Sequence, residues 1–482
     1  MKSRFKISST LAAVLSAACM FHQAAPLQAA PFTQGNIVIY RVGTGSGSLV
    51  NTGNPVFLDE YNSAGTLVQS IALPTTVSGA NKRLVASGTA TSEGLLTRSA
   101  DGQYLVLTGY DVTPPHTGSL NSATGAAVNR VIGRVNAAGT VDTSTALADY
   151  ASGNNPRSAV SSDGTKFWTA GGTSGVRIVT LGATTSTDVS TTVTNLRQLG
   201  IAGGQLYVTT GSGSAVRLGT VGTGLPETTG QTITNLTGIP TTGSPYAFFF
   251  ADLDAGVAGM DTLYVTDDGA GALTKFSLVG ATWTANGTVG VDADDYRGLT
   301  GSVSGGTVTL YATRKGGSAA AGGGELVSIV DATGYNATIT ATPTLLATAA
   351  ANTAFRGVAL APESSPPITA LIASSPTAPT AFTTTYGTAS AVQSFSITGS
   401  NLTADITATA PSGFEVSSNA TTYASTATFT QSSGSATGTL SVRLAASAPV
   451  SGTYNSQNIA LTSAGATTVN LTLPVTGNAV SP

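Results

Sequence analysis

The chain has 482 residues, 58 of them Gly and 20 Pro; 9% are charged, 6% aromatic, and the formal net charge is −3. So few Glu, Lys and Arg cannot clothe many exposed helix faces, and this charge offers nucleic acid no basic footprint. The 41% hydrophobic content lies in short Val, Ile, Leu and Tyr runs, which can bury a core and exclude a disordered chain.

Lys2, Arg4 and Lys6 precede a short apolar run from Leu11 to Met20, and small residues follow at Ala24, Ala25, Ala29 and Ala30. This predicts a secretory signal peptide over 1–30, cleaved near Ala29 or Ala30. A lipoprotein reading would use Cys19, but Ser16 stands where a Leu-like residue is wanted. No other apolar stretch approaches the ~18 residues of a membrane span. Cleavage removes three of the 20 basic residues and none of the 23 acidic ones, so the mature charge becomes −6. It also removes the single Cys and one of the two His, leaving His116. With no disulfide available, stability must come from core size and sheet pairing.

A short aromatic-aliphatic strand then recurs at Ile39-Tyr40, Leu105-Val106, Phe167-Trp168, Leu206-Tyr207, Leu263-Tyr264 and Leu310-Tyr311. The second residues are 66, 62, 39, 57 and 47 positions apart, a mean near 54 and the size of a propeller blade. Inner strands begin at Pro156-Arg157, Leu196-Arg197, Tyr296-Arg297 and Phe355-Arg356, with Tyr246-Ala247 and Glu93-Gly94 in the same place in two further units. The last inner strand, Phe355 to Ala361, has no strand after it to pair with. The first strands, Asn36 to Val42, Val56 to Asn62 and Thr66 to Leu73, have no inner strand before them. Joining these would close a β-propeller of six blades over 31–365; seven is the alternative, because the two longest spacings could hide a unit.

Pro362 to Pro367 is a Pro/Ser linker. Beyond it, Ser394-Phe395-Ser396-Ile397, Leu440-Ser441-Val442-Arg443-Leu444 and Val469-Asn470-Leu471-Thr472-Leu473 alternate with period two, predicting a β-sandwich over 366–482. Thr409-Ala410-Pro411-Ser412-Gly413-Phe414-Glu415-Val416 resembles Ig-like modules of large secreted bacterial proteins, as does Ser451-Gly452-Thr453-Tyr454 followed by Ala460-Leu461-Thr462-Ser463. Pro31-Phe32-Thr33 through Val42-Gly43, then Phe57-Leu58-Asp59-Glu60-Tyr61, resembles the opening of secreted bacterial propeller proteins. The two resemblances imply architecture and secretion, and no particular reaction.

Catalytic chemistry has little to draw on. His116 sits in the loop Pro114-Pro115-His116-Thr117, no serine has a G-x-S-x-G elbow, and zinc lacks its Cys and His ligands. No cofactor is expected. Calcium has weak candidates in Asp252, Asp254 and Asp261, and in Asp292, Asp294 and Asp295; turn carboxylates more often cap backbone groups. Gly43 to Ser48 has no Lys-Ser/Thr and opens no helix, and Leu473-Pro474-Val475-Thr476-Gly477 lacks the apolar segment a sortase signal requires.

The sharper signal is Arg157, Arg197, Arg297 and Arg356 at equivalent places on inner strands, with Tyr296 and Phe355 beside two of them. At one mouth of a channel they would gather anions such as carboxylates, phosphates or acidic glycans. The plainer reading is that each locks neighbouring blades. The expected function is a non-catalytic binding, surface or adhesion-type protein, secreted, at the cell surface or periplasmic, with the Ig-like module as spacer and the oligomeric state open. The alternative is an extracellular propeller hydrolase or lyase using channel carboxylates and calcium.

Overall fold

The computed structural model describes residues 29–211, 213, 215–317, 319–364, 370–375, 378–402, 404–464 and 466–482. Except for Ala29 and Ala30, the segment read as a signal peptide, with Cys19 and His22, lies outside the described residues, as do linker residues 365–367. The chain divides into two compact units, Met1–Ser364 and Ser365–Pro482.

The first unit is all-β and propeller-like, built from antiparallel four-stranded sets. Sheet 1 comprises Thr97–Arg98, Tyr104–Tyr110, Arg130–Asn136 and Val141–Leu147. Sheet 2 comprises Pro156–Val160, Lys166–Gly171, Val176–Thr180 and Thr187–Ser190, and sheet 3 Leu196–Ala202, Gln205–Thr210, Leu218–Val221 and Ile233–Asn235. Sheet 4 is Pro245–Ala251, Thr262–Asp267, Ala272–Val279 and Thr282–Val289; sheet 5 is Leu299–Ser304, Thr307–Arg314, Glu325–Asp331 and Thr344–Thr348. Sheet 6 joins distant parts of the chain. Its inner strand Thr353–Leu360 pairs with Ile37–Val42, then come Asn54–Tyr61 and Leu67–Ala72. A two-residue strand, Val85–Ala86, bridges sheets 6 and 1. The long spacings in the sequence are filled by connecting segments, 73–96 on one side of sheet 1 and the loop 111–129 within it.

Period-two alternation decides which neighbour each strand residue packs on. In sheet 5, Leu310 and Ala312 join the core shared with sheet 4, while Tyr311 between them joins the core shared with sheet 6. Separate apolar cores lie between sheets 1 and 2, 2 and 3, 3 and 4, 4 and 5, 5 and 6, and 6 and 1. The inner strands touch in the same order, that of sheet 6 meeting that of sheet 1.

One backbone carbonyl per sheet, at the arginine position or, in sheet 4, at Tyr246 beside it, receives a hydrogen bond from the sheet before it. Threonine hydroxyls of the second strands supply three: Thr209 to Tyr246 O, Thr266 to Arg297 O and Thr313 to Arg356 O. Ser158 Oγ donates to Arg197 O at 2.7 Å. Backbone amides do the same elsewhere, Leu95 N to Arg157 O and Gly357 N to Gly94 O. The last approach requires glycine, because a Cβ on residue 357 would overlap Leu96 N and Gly94 O.

The second unit has two four-stranded antiparallel sheets. One is Leu371–Ser374, Gln393–Ser400, Ala436–Leu444 and Phe414–Ser417; the other is Thr426–Phe429, Ile406–Thr409, Asn458–Thr462 and Val469–Thr472. Phe395, Ile397, Leu440 and Val442 from the first share one core with Ile406, Ala408, Ile459 and Leu461 from the second. Thr383–Thr385 and Ala479–Ser481 form a parallel pair. No helix among the described residues is long and apolar enough to cross a membrane.

Candidate functional site

Each inner strand of the first unit contributes to one central cavity of about 240 Å³, through Thr97, Val160, Leu199, Phe249, Thr300 and Ala359 among others. The inner strands all enter at the arginine end. At the other end, Gln34, Phe249, Ser302 and Tyr311 line an open vestibule with the Arg98–Glu363 ion pair, 2.9 Å apart.

The four arginines lie at the inner-strand entries of sheets 2, 3, 5 and 6, and their guanidinium groups are mostly turned onto neighbouring sheets. Arg157 is 8% exposed and donates through Nη1 to Asn195 Oδ1 and Leu196 O, at 2.7 and 2.9 Å. Burial and the nearby Arg197 lower its pKa to about 10. Arg197 lies 3.7 Å over the Tyr246 ring and donates through Nη2 to Ser244 Oγ. Arg297 approaches the same ring at 5.3 Å and donates through Nη1 to Gly316 O. Asp268 Oδ2 serves both, 3.8 Å from Arg197 Nη1 and 3.4 Å from Arg297 Nη2. Arg356 is 4% exposed, with Nη2 on Gly88 O at 3.0 Å and Nη1 on Gly317 O at 3.4 Å. Burial lowers its pKa to about 10, with Glu93 opposing and Arg297 adding to the shift.

This positive end is incompletely compensated. Arg197 Nε and Nη1 and Arg356 Nε are buried with no hydrogen-bond partner among the described residues. Such donors are costly unless something meets them. Arg356, Arg297, Phe355, Glu93 and Asp295 line a small recess here, with enclosed room of about 10 Å³, the size of one water. Tyr296 does not face it; it is fully buried in the core between sheets 4 and 5, near Arg314 Nη1 at 3.4 Å.

Glu93 is the acidic member of this mouth. It is 3% exposed, accepting from Ser87 N at 2.5 Å and Tyr110 Oη at 2.9 Å. Burial pushes its carboxyl up to about 7, against those hydrogen bonds and the fields of Arg356 and Arg130. Tyr40 and Tyr110 beside it are pushed above their usual range, by burial first and by Glu93 second.

Three of the six acidic turn residues, Asp254, Asp261 and Asp294, accept from the protein's own donors. Asp261 accepts from Leu253 N, Asp254 N and Thr262 Oγ1. Asp294 accepts from Val291 N and pairs with Arg314 at 3.0 Å. Asp252 and Asp292 are exposed, while Asp254 and Asp295 are half-buried. Among the described residues, no three His, Cys, Asp or Glu side chains are grouped to hold a metal ion. His116 donates its backbone N–H to Thr52 O.

Sequence reading missed two parts of this site. Asp268 lies in Asp267-Asp268-Gly269, in sequence a hairpin-turn signal and nothing more, and its role between two arginines needs the third dimension. The threonine that follows most of the aromatic-aliphatic pairs is visible as a repeat, but the reach of Thr209, Thr266 and Thr313 into the next sheet is not.

No protein-family model matches the chain, and no curated protein matches it. Solved structures similar to it include a Bacteroides uniformis protein described as a 6-phosphogluconolactonase, at 15% identity over 66% of this chain and 83% of that one, TM-score 0.37. The soluble aldose sugar dehydrogenase of Escherichia coli is 11% identical over 61% of this chain and 99% of that one, TM-score 0.37. The coronin WD40 domain of Toxoplasma gondii is 13% identical over 75% of this chain and 84% of that one, TM-score 0.32. These likenesses are loose; the architecture rests on the strand pairing.

Proposed function

We propose that the first unit is a closed six-bladed propeller, and that the protein is an exported, non-catalytic binding protein whose ligand carries an anionic group. The blade count is supported by the cyclic order of inner-strand contacts, interposed cores and carbonyl hydrogen bonds. Export is supported by the basic, apolar and small-residue order of the first thirty residues. The two-sheet second unit, whose sequence resembles Ig-like modules, serves as a spacer.

The observation that carries the binding function is the three buried guanidinium nitrogens, Arg197 Nε and Nη1 and Arg356 Nε, that meet no hydrogen-bond acceptor among the described residues. An oxyanion at the mouth would supply acceptors and balance charge together. The test is calorimetric titration of the protein lacking residues 1–30 with sulfate and with acidic oligosaccharides, with and without calcium. Arg297→Ala with Arg356→Ala is expected to lower affinity at least about tenfold, the cost of one charge-assisted hydrogen bond. Unchanged affinity with a lower Tm would assign these arginines to locking blades alone.

A hydrolase or lyase is the competing reading, favoured by Glu93 and Asp295 lining one recess. Cleavage of an acidic oligosaccharide by the wild type, lost in Glu93→Gln, would establish it.

A further inference from the structure

The recess at the arginine mouth has room for one small group and is bordered by a cation without a carboxylate and a carboxyl without a cation. Among the described residues, no carboxylate lies within ion-pair distance of Arg356, although Glu93 lines the same recess. Both Glu93 oxygens accept hydrogen bonds from neutral donors, Ser87 N and Tyr110 Oη, and neither is paired with a cation.

Most of the other charged and titratable groups around Glu93 have partners of their own, although Arg130 Nε meets none among the described residues. Arg130 donates to the carbonyls of Val128, Ala123, Ala151 and Asn154 and stacks 5.0 Å over Tyr110. Arg157 is held by Asn195 and Leu196, Arg297 by Asp268 and Gly316, and Arg314 by Glu325 and Asp294. Tyr40 donates to Thr108 O. Asp295 adds a second carboxylate to the recess wall. An anion oxygen entering to meet Arg356 would therefore sit close to Glu93, with little water between them. Two negative charges so placed repel strongly, and the cheaper arrangement neutralises one.

We propose that anion binding at this mouth is linked to protonation of Glu93, so that the recess holds either the Glu93 carboxylate or one oxygen of a bound carboxylate, sulfate or phosphate, never both charges. This rests on the anion-binding function above. Above neutral pH the balance is one proton taken from solvent onto Glu93 for each anion bound. Burial already sets Glu93 to titrate at about 7, so the exchange falls in an accessible range.

Sulfate is the probe, because its own charge is constant from pH 5.5 to 8.5. Calorimetry on the full chain is expected to give constant affinity well below pH 7 and a loss of about tenfold per pH unit well above it. Repeating the titration at pH 8.5 in buffers of different ionisation heat should report uptake of about one proton per sulfate. Glu93→Gln should bind at every pH as the wild type does in acid, with no proton uptake. Flat wild-type affinity without proton uptake would overturn the proposal, as would a pH dependence that survives in Glu93→Gln. The buffer series on the wild type decides the matter even where the variant misfolds. Absence of sulfate binding at every pH would instead overturn the anion-binding function beneath it.

Discussion

Two buried acids in the first unit show how the nearest cation decides a carboxyl's behaviour. Asp331 is 1% exposed, and burial alone would raise its pKa. Hydrogen bonds from Lys275, Thr333 and Tyr264 outweigh that and hold it below the usual carboxylate range. Glu93 is equally buried but has neutral donors on both oxygens, so burial wins and it titrates at about 7 against an ordinary 4.5. Its protonated form fits the fold. The associated stability is complete below pH 4.5 and is lost as pH rises through 7, in total about 3 kcal/mol. Asp142, Asp163 and Asp331, with lowered pKa values, act the other way but only at more acidic pH. Denaturant titrations at pH 4.5 and pH 8 should therefore show wild type losing about 3 kcal/mol relative to Glu93→Gln. Parallel pH profiles for the two proteins would contradict this.

Between elements, the strongest regularity is the hydroxyl that reaches from one sheet into the next. Thr266 Oγ1 accepts from Ala247 N in its own sheet and donates to Arg297 O; Thr313 does the same between Gly298 N and Arg356 O. Replacement by valine keeps the shape and strands an amide and a carbonyl. Thr266→Val and Thr313→Val are each expected to cost about 1–3 kcal/mol, read as lowered denaturant midpoints at unchanged m. A change under about 0.5 kcal/mol in both would mean that these bonds carry no net stability. Much at this scale was legible from the sequence: Leu206-Tyr207 and Leu263-Tyr264 marked second strands. The unpaired order of Phe355 to Ala361 and Asn36 to Val42 anticipated a pairing that the register Ile37↔Leu360 and Val42↔Ala354 displays. The site was less legible. Equivalent positions for Arg157, Arg197, Arg297 and Arg356 could be read off a repeat. Whether a long flexible side chain points into a channel or lies over Tyr246 depends on a neighbouring sheet, some fifty residues away in sequence.

At the scale of the whole molecule, the second unit has a core of its own, with edge-to-face contacts linking Phe382, Phe414 and Tyr454 at 5.4 and 6.1 Å. A fragment covering 366–482 should therefore fold alone and melt cooperatively by circular dichroism; a fragment without a transition would show that it depends on the rest of the chain. The first unit cannot be divided so simply. Ile37 pairs with Leu360, 323 positions later. Bringing such distant ends together costs about 5 kcal/mol of chain entropy before any contact across the seam repays it. Synthesis therefore delivers the waiting strands first and their partner last. Until Thr353–Leu360 emerges, Ile37–Val42 has an open edge that any other extended chain could occupy. The first unit is thus most vulnerable to mispairing just before this strand emerges, and a helper that masks the open edge would matter most at that moment.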